Sequence, residues 1–130
     1  MSLKTSVVLA RTCPAYRVDI FVGSKRGYKD STDDDLAKYY EMIQRTCQEF
    51  CDDVGLCVHI EKVDYVYTQG SEPGVKVVLI NYPRFPKATS TIDQLARTLA
   101  SELLIQSHQE RVTVITPTES YLLENEVTTQ

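Results

Sequence analysis

The stretch "VKVVLINY", residues 75–82, decides how this chain folds. Val75, Val77 and Leu79 share one phase of a period-two pattern, and Val78 and Ile80 share the other. A strand apolar on both phases has two faces to bury, which suits a central place in a sheet. Just before it, "GSEPG" (residues 70–74) reads as a loop and sets one carboxylate, Glu72, among turn residues. Just after it, the two prolines of "NYPRFP" end the strand.

Outward from this stretch, the pattern alternates between strands and helices. Val18, Ile20 and Val22 alternate with Arg17 and Asp19, which predicts a first strand. A polar loop, "GSKRGYKDST", follows. Ser31 or Thr32 then caps a helix, and Asp33, Asp34 and Asp35 sit in its first turn, where the dipole favours negative charge. Leu36, Tyr39, Tyr40, Ile43, Cys47, Phe50 and Val54 recur at helical steps, and Gly55 stops the helix. Residues 56–69 read as a second strand. Val58 and Ile60 lie on one phase and Val63, Tyr65 and Tyr67 on the other, so a bulge or bend is expected near Glu61 and Lys62. Thr91 is expected to cap a second helix striped by Ile92, Leu95, Ala96, Leu99 and Leu103, with Leu104 and Ile105 off the stripe. A last strand, Val112 to Thr116, is broken by Pro117, and a short extension follows around Tyr121 to Leu123.

The order strand, helix, strand, strand, helix, strand predicts an α+β fold: a ferredoxin-like βαββαβ sandwich with both helices on one face of an antiparallel sheet. The 130 residues fit one such domain, with its core at about 15–123 and flexible termini. Helices on one face leave the second phase of residues 75–82 facing water, and a large apolar patch of that kind marks an interface. The expectation is a homo-oligomer with sheets packed together, a trimer.

Charge and composition exclude several classes. The net charge of −4 repels a nucleic-acid backbone, and Lys25, Arg26 and Lys29 are the one local cluster of cations. No apolar run approaches the ~20 residues of a membrane span, and the patch at Val7 to Ala10 is too short for an export signal. A cytoplasmic protein without nucleic-acid or membrane partners is expected. Cys13, Cys47, Cys51 and Cys57 then stay reduced; Cys47, Cys51, Cys57 and His59 match no standard zinc spacing, so no metal is expected. Three consecutive helical aspartates point in different directions and cannot converge on a cation. The loop Gly23-Ser24-Lys25-Arg26-Gly27 could hold an anion but is no Walker loop. His59 and His108 stand in no legible triad. What stands out is Glu72 flanked by Tyr65 and Tyr67, which share a strand face: aromatic faces and a carboxylate suit a cationic ligand, and strand packing alone also accounts for the tyrosines.

These residues together give the chain a likeness. The strand "YRVDIFVGSKRGY" leads through a polar loop to a helix, Gly55-Leu56 opens the second strand, and "GSEPG" precedes "VKVVLINY". The second helix carries "QLARTLASEL", and "RVTVITPTESYLL" closes the chain. In order and character, over most of its length, the chain resembles the phage-encoded S-adenosylmethionine lyases, long called hydrolases. The resemblance implies a PII-like trimer with sites between subunits, and a reaction without metal or cofactor. The substrate's own carboxylate attacks its γ-carbon, releasing methylthioadenosine and leaving homoserine lactone. Such a reaction asks the protein chiefly for proximity, orientation and reduced solvation of the attacking carboxylate. By the resemblance, Glu72 holds the substrate's ammonium, Tyr65 and Tyr67 line the sulfonium and adenosine region, and Ser24 and Arg26 contribute from the first loop. Glu61 is the competing carboxylate if the register shifts. The biological sense would be anti-restriction, by depleting the host's methyl donor. A PII-like trimer that binds a small ligand unchanged shares the same fold, and a viral interaction protein using Leu104 and Ile105 is a third reading.

Overall fold

The computed structural model describes residues 5–24 and 32–126. Seven elements follow in order: β1 (Arg17–Gly23), α1 (Asp33–Val54), β2 (Val58–Tyr67), β3 (Gly70–Ile80), α2 (Thr89–Gln106), β4 (Arg111–Ile115) and β5 (Ser120–Glu124). The strands form one antiparallel sheet in the order β2-β3-β1-β4-β5. This is the ferredoxin-like arrangement with one added edge strand, the extension foreseen around Tyr121. β1 and β3 are central, as the doubly apolar residues 75–82 require.

Both helices cover the same sheet face. Val18, Ile20, Val22, Val75, Val77, Leu79, Val112 and Val114 point toward them and are buried. α1 meets them with Tyr39, Ile43, Cys47 and Phe50, and α2 with Ile92, Ala96, Leu99 and Leu103. Each fully buried aliphatic side chain here contributes about 1.5–3 kcal/mol. Burial also pushes the Cys47 thiol up to about 12, so it stays protonated as a small hydrophobe.

The ends of α1 follow from local chemistry. Thr32 Oγ1 accepts from the Asp35 backbone N–H at 3.1 Å, and Asp35 Oδ2 accepts from the Thr32 N–H at 3.2 Å, a reciprocal cap. Gly55 closes the helix in a left-handed conformation, φ 70°. α2 begins three residues earlier than a cap at Thr91 would place it. Ala88 is its N-cap and makes no side-chain bond; its carbonyl accepts from the Thr91 and Ile92 N–H groups. Thr91 therefore sits inside the first turn.

Two further expectations are corrected. β2 carries no bulge: it pairs with β3 without interruption from Val58 opposite Leu79 to Tyr67 opposite Gly70. The change of apolar phase reflects cover, not register. β2 is an edge strand whose helix-side residues are half-buried at Val58 but exposed by Val66, while Val63, Tyr65 and Tyr67 lie on the open face. Lys62 covers part of that gap by placing its Nζ 4.3 Å above the Tyr40 ring. Leu104, in turn, is buried in the core, and of the pair only Ile105 is exposed.

The open sheet face is less apolar than the sequence suggested. Val78 is fully buried within the chain itself, between cross-strand neighbours Asp19 and His59. Around it run polar and charged contacts: Arg17 with Asp19 at 2.7 Å, Glu61 with Lys76 at 3.5 Å, and Glu61 Oε2 with His59 Nε2 at 3.0 Å.

A buried asparagine ties the segments before β1 and α2 to the end of β3. Asn81 Nδ2 donates to the Pro14 carbonyl at 2.9 Å, and Asn81 Oδ1 accepts from the Lys87 N–H at 3.0 Å. Asn81→Ala removes two part-buried hydrogen bonds, to the Pro14 carbonyl and the Lys87 N–H, and is expected to lower stability by about 1–2 kcal/mol, read as a shift of the urea midpoint at constant slope.

Alkaline pH provides a second check. Burial raises the Tyr65 phenol to about 12 and pushes Tyr39 up as well. The unfolded phenol ionises near ~10. The stabilisation is complete below that value and is lost as pH rises toward 12. Urea midpoints should fall between pH 10 and 12, and less steeply in Tyr65→Phe.

Candidate functional site

The site forms where the β1–β3 ladder ends. The residue pair Gly23 and Gly74 is its last rung. The next residue on β3 is Pro73, which has no N–H to extend the ladder. Ser24 closes the end with side-chain bonds instead. Its Oγ donates to the Pro73 carbonyl at 2.5 Å, and its backbone N–H donates to Glu72 Oε2 at 3.0 Å.

Glu72 is thus a strand residue, not a loop residue. The turn between β2 and β3 is the two-residue Thr68-Gln69, with Gln69 at φ 62°. β3 then starts at Gly70, and Glu72 pairs opposite Tyr65. Proline and glycine in "GSEPG" read as a loop because they weaken a strand. Here Pro73 sits at the point where one neighbouring strand stops, and the tyrosines pack onto the glycines.

The alternation of β2 puts Tyr65 and Tyr67 on the same open face as Glu72. The Tyr65 ring lies on Gly74, where a Cβ would meet the ring at 2.5 Å. Its hydroxyl donates to the Val75 carbonyl at 2.6 Å, which holds the ring in place. The Tyr67 hydroxyl donates to Glu72 Oε1 at 3.4 Å. One carboxylate oxygen is therefore set by a backbone amide and the other faces a phenol. Gly23 leaves room for this arrangement: a Cβ there would lie 2.8 Å from Glu72 Oε2.

Phe21, two residues before Gly23 on the same face, packs against Tyr65 with ring centroids 6.1 Å apart. Together Phe21, Gly23, Tyr65, Tyr67, Glu72 and Arg111 line much of a cleft of about 430 Å³. Phe21 and Arg111 are additions to the expected site residues, and Gly23 enters the site as a spacer beside Glu72 rather than as part of an anion loop. Phe21 and Gly23 share the phase of Arg17 and Asp19, so strand alternation held that signal. Arg111 reaches the cleft only through the pairing of β4 with β1, and it also lies 3.6 Å from Glu124.

The remaining candidates divide. Ser24 is in the site and 5% exposed. Arg26, with Lys25, Gly27, Lys29 and Ser31, lies outside the described residues. Glu61 does not line the cleft. It pairs with His59 and Lys76 in the middle of the open face, and these partners, His59 first, hold its carboxyl below the usual range.

The cleft places Glu72 among aromatic rings, with Glu110 and Arg111 also in its wall; aromatic faces and a carboxylate suit a small organic cation. No helix among the described residues is long and apolar enough to cross a membrane.

No protein-family model matches this sequence. No curated protein matches it either. Solved structures do. A phage SAM lyase in the apo state superimposes with a TM-score of 0.71 at 19% identity, over 95% of this chain and 100% of that one. A phage SAM lyase in complex with S-methyl-5'-thioadenosine superimposes with a TM-score of 0.67 at 17% identity, over the same shares of the two chains. The chain has the fold of these phage SAM lyases across nearly its whole length.

Proposed function

We propose that this protein is an S-adenosylmethionine lyase that forms homoserine lactone and methylthioadenosine. The observation that carries the reading is the carboxylate of Glu72, aimed by the Ser24 N–H into a cleft walled by Tyr65, Tyr67 and Phe21. The shared fold, with one neighbour solved in complex with the methylthioadenosine product, supports it.

In this reading Glu72 binds the substrate's ammonium. A carboxylate is the counter-charge an ammonium needs, and it accepts charge-assisted bonds from its N–H groups. The Tyr65, Tyr67 and Phe21 rings present negative π-faces to the sulfonium. Anchored at both places, the methionyl chain folds until its carboxylate reaches the γ-carbon. The carboxylate oxygen forms a bond to that carbon as the carbon–sulfur bond breaks, and the bonding pair leaves with sulfur. Charge and atoms balance without proton transfer: the positive sulfonium becomes a neutral thioether, and the negative carboxylate becomes a neutral lactone. Ser24 acts as a positioning residue, since its N–H holds Glu72. Arg26 is assigned a contact from the first loop.

A homotrimer belongs to the same proposal. No helix covers the open sheet face among the described residues, and the cleft opens at its margin. Packing three such faces together would close the cleft against water and strengthen each charge contact.

The decisive experiment is incubation of the purified protein with S-adenosylmethionine and EDTA, with products followed by mass spectrometry. Methylthioadenosine together with homoserine lactone is expected; intact substrate overturns the proposal. In active protein, Glu72→Gln should lower kcat/KM by on the order of 100-fold, because it strands the ammonium without its counter-charge. Gly23→Ala displaces the carboxylate without removing it. It should reduce kcat/KM by at least ~10-fold while far-UV circular dichroism stays unchanged.

A further inference from the structure

The end of the sheet away from the cleft carries a second apolar concavity. Leu56, Cys57, Ile80, Tyr82 and Phe85 bound a groove of about 400 Å³. Glu72 and Ile80 are eight residues apart on β3, roughly 26 Å along the strand, so the groove is separate from the cleft. Its walls are open to water: Ile80 is 38% exposed, Tyr82 41% and Phe85 59%.

A matching apolar segment starts at the rim of this groove. Residues 5–12 run without secondary structure, and Val7, Val8 and Leu9 are 76%, 94% and 82% exposed. Three consecutive large apolar side chains in water form a continuous patch, unlike the scattered exposed residues of an ordinary surface. The segment is rooted at Asn81, between Ile80 and Tyr82 of the groove. The Pro14 carbonyl accepts from Asn81 Nδ2, and Cys13 Sγ lies 3.5 Å from the Asn81 carbonyl.

The root also sets the direction. Pro14 disfavours the helical region for Cys13 and keeps the chain extended there. With Val7, Val8 and Leu9 this exposed, the arm does not pack into its own chain's groove. Apposing two copies through this end of the sheet brings each arm to the other's groove, because root and groove adjoin. In extended chain Val7 and Leu9 project to one side, the spacing needed to enter one groove together.

We propose that residues 5–12 form an exchange arm that seats Val7 and Leu9 in the groove of Leu56, Cys57, Ile80, Tyr82 and Phe85 on a second copy of this chain. The contact is independent of any chemistry at Glu72.

The exposed Cys57 in the groove wall provides the test. Leu9→Cys, in a Cys13→Ser background, is oxidised mildly and run on a non-reducing gel, with tagged and untagged chains mixed. The expected result is a covalent species containing both chain types, lost on adding Cys57→Ser. A disulfide within one chain, or no Cys57-dependent product, overturns the proposal. In a second measurement, Val7→Asp with Leu9→Asp should reduce the mass seen by light scattering, with circular dichroism unchanged. An unchanged oligomer overturns the arm while leaving subunit packing through the open sheet face intact.

Discussion

The missing N–H of Pro73 governs this molecule's candidate site. The central pair of strands can extend its ladder only as far as Gly23 and Gly74. Beyond that rung, Ser24 turns to the Pro73 carbonyl with its hydroxyl and to Glu72 with its backbone amide. A break in a sheet is usually a cost. Here it converts a backbone bond into a positioned carboxylate. Two glycines make the arrangement possible. Gly23 leaves space for the carboxylate, and Gly74 lets the Tyr65 ring lie on the strand.

The sheet separates two kinds of work. Its helix-covered face holds the apolar core. Its open face carries charged pairs in the middle and the aromatic cleft at one end. Glu61 and Glu72 lie on this same face, yet their surroundings differ. Glu61 is matched by His59 and Lys76, which makes it part of a charge ladder. Glu72 lines the aromatic cleft, with Tyr65, Tyr67 and Phe21 in the same wall. Burial of Val78 beneath its charged neighbours shows that apolar phase alone does not measure exposed apolar surface.

Much of the architecture was legible because it depends on local periodicity. The helical stripe from Leu36 to Val54, the alternation of Val18, Ile20 and Val22, and both phases of residues 75–82 each follow from backbone geometry. Their order prescribes the topology. The tyrosines flanking Glu72 were legible for the same reason, since a two-residue step keeps side chains on one face. The misreadings came from features that local rules weigh wrongly. Pro and Gly in "GSEPG" signal a loop, and only the place where β1 stops makes them acceptable in a strand. The changed phase in β2 signals a bulge, and only the reach of α1 across an edge strand explains it.

The sequence by itself determined the elements, their order, the faces they bury and the presence of a carboxylate between two tyrosines. These are consequences of steps of two and of three to four residues along one chain. The tertiary structure alone decided that Ser24 and Gly23 meet that carboxylate, that Phe21 and Arg111 line the same cleft, and that Glu61 does not. Those residues lie 39 to 51 positions from Glu72 in sequence, and no local spacing brings them together. Their meeting arises from the register of β3 against β1 and β2 and of β4 against β1, which the packed core sets as a whole.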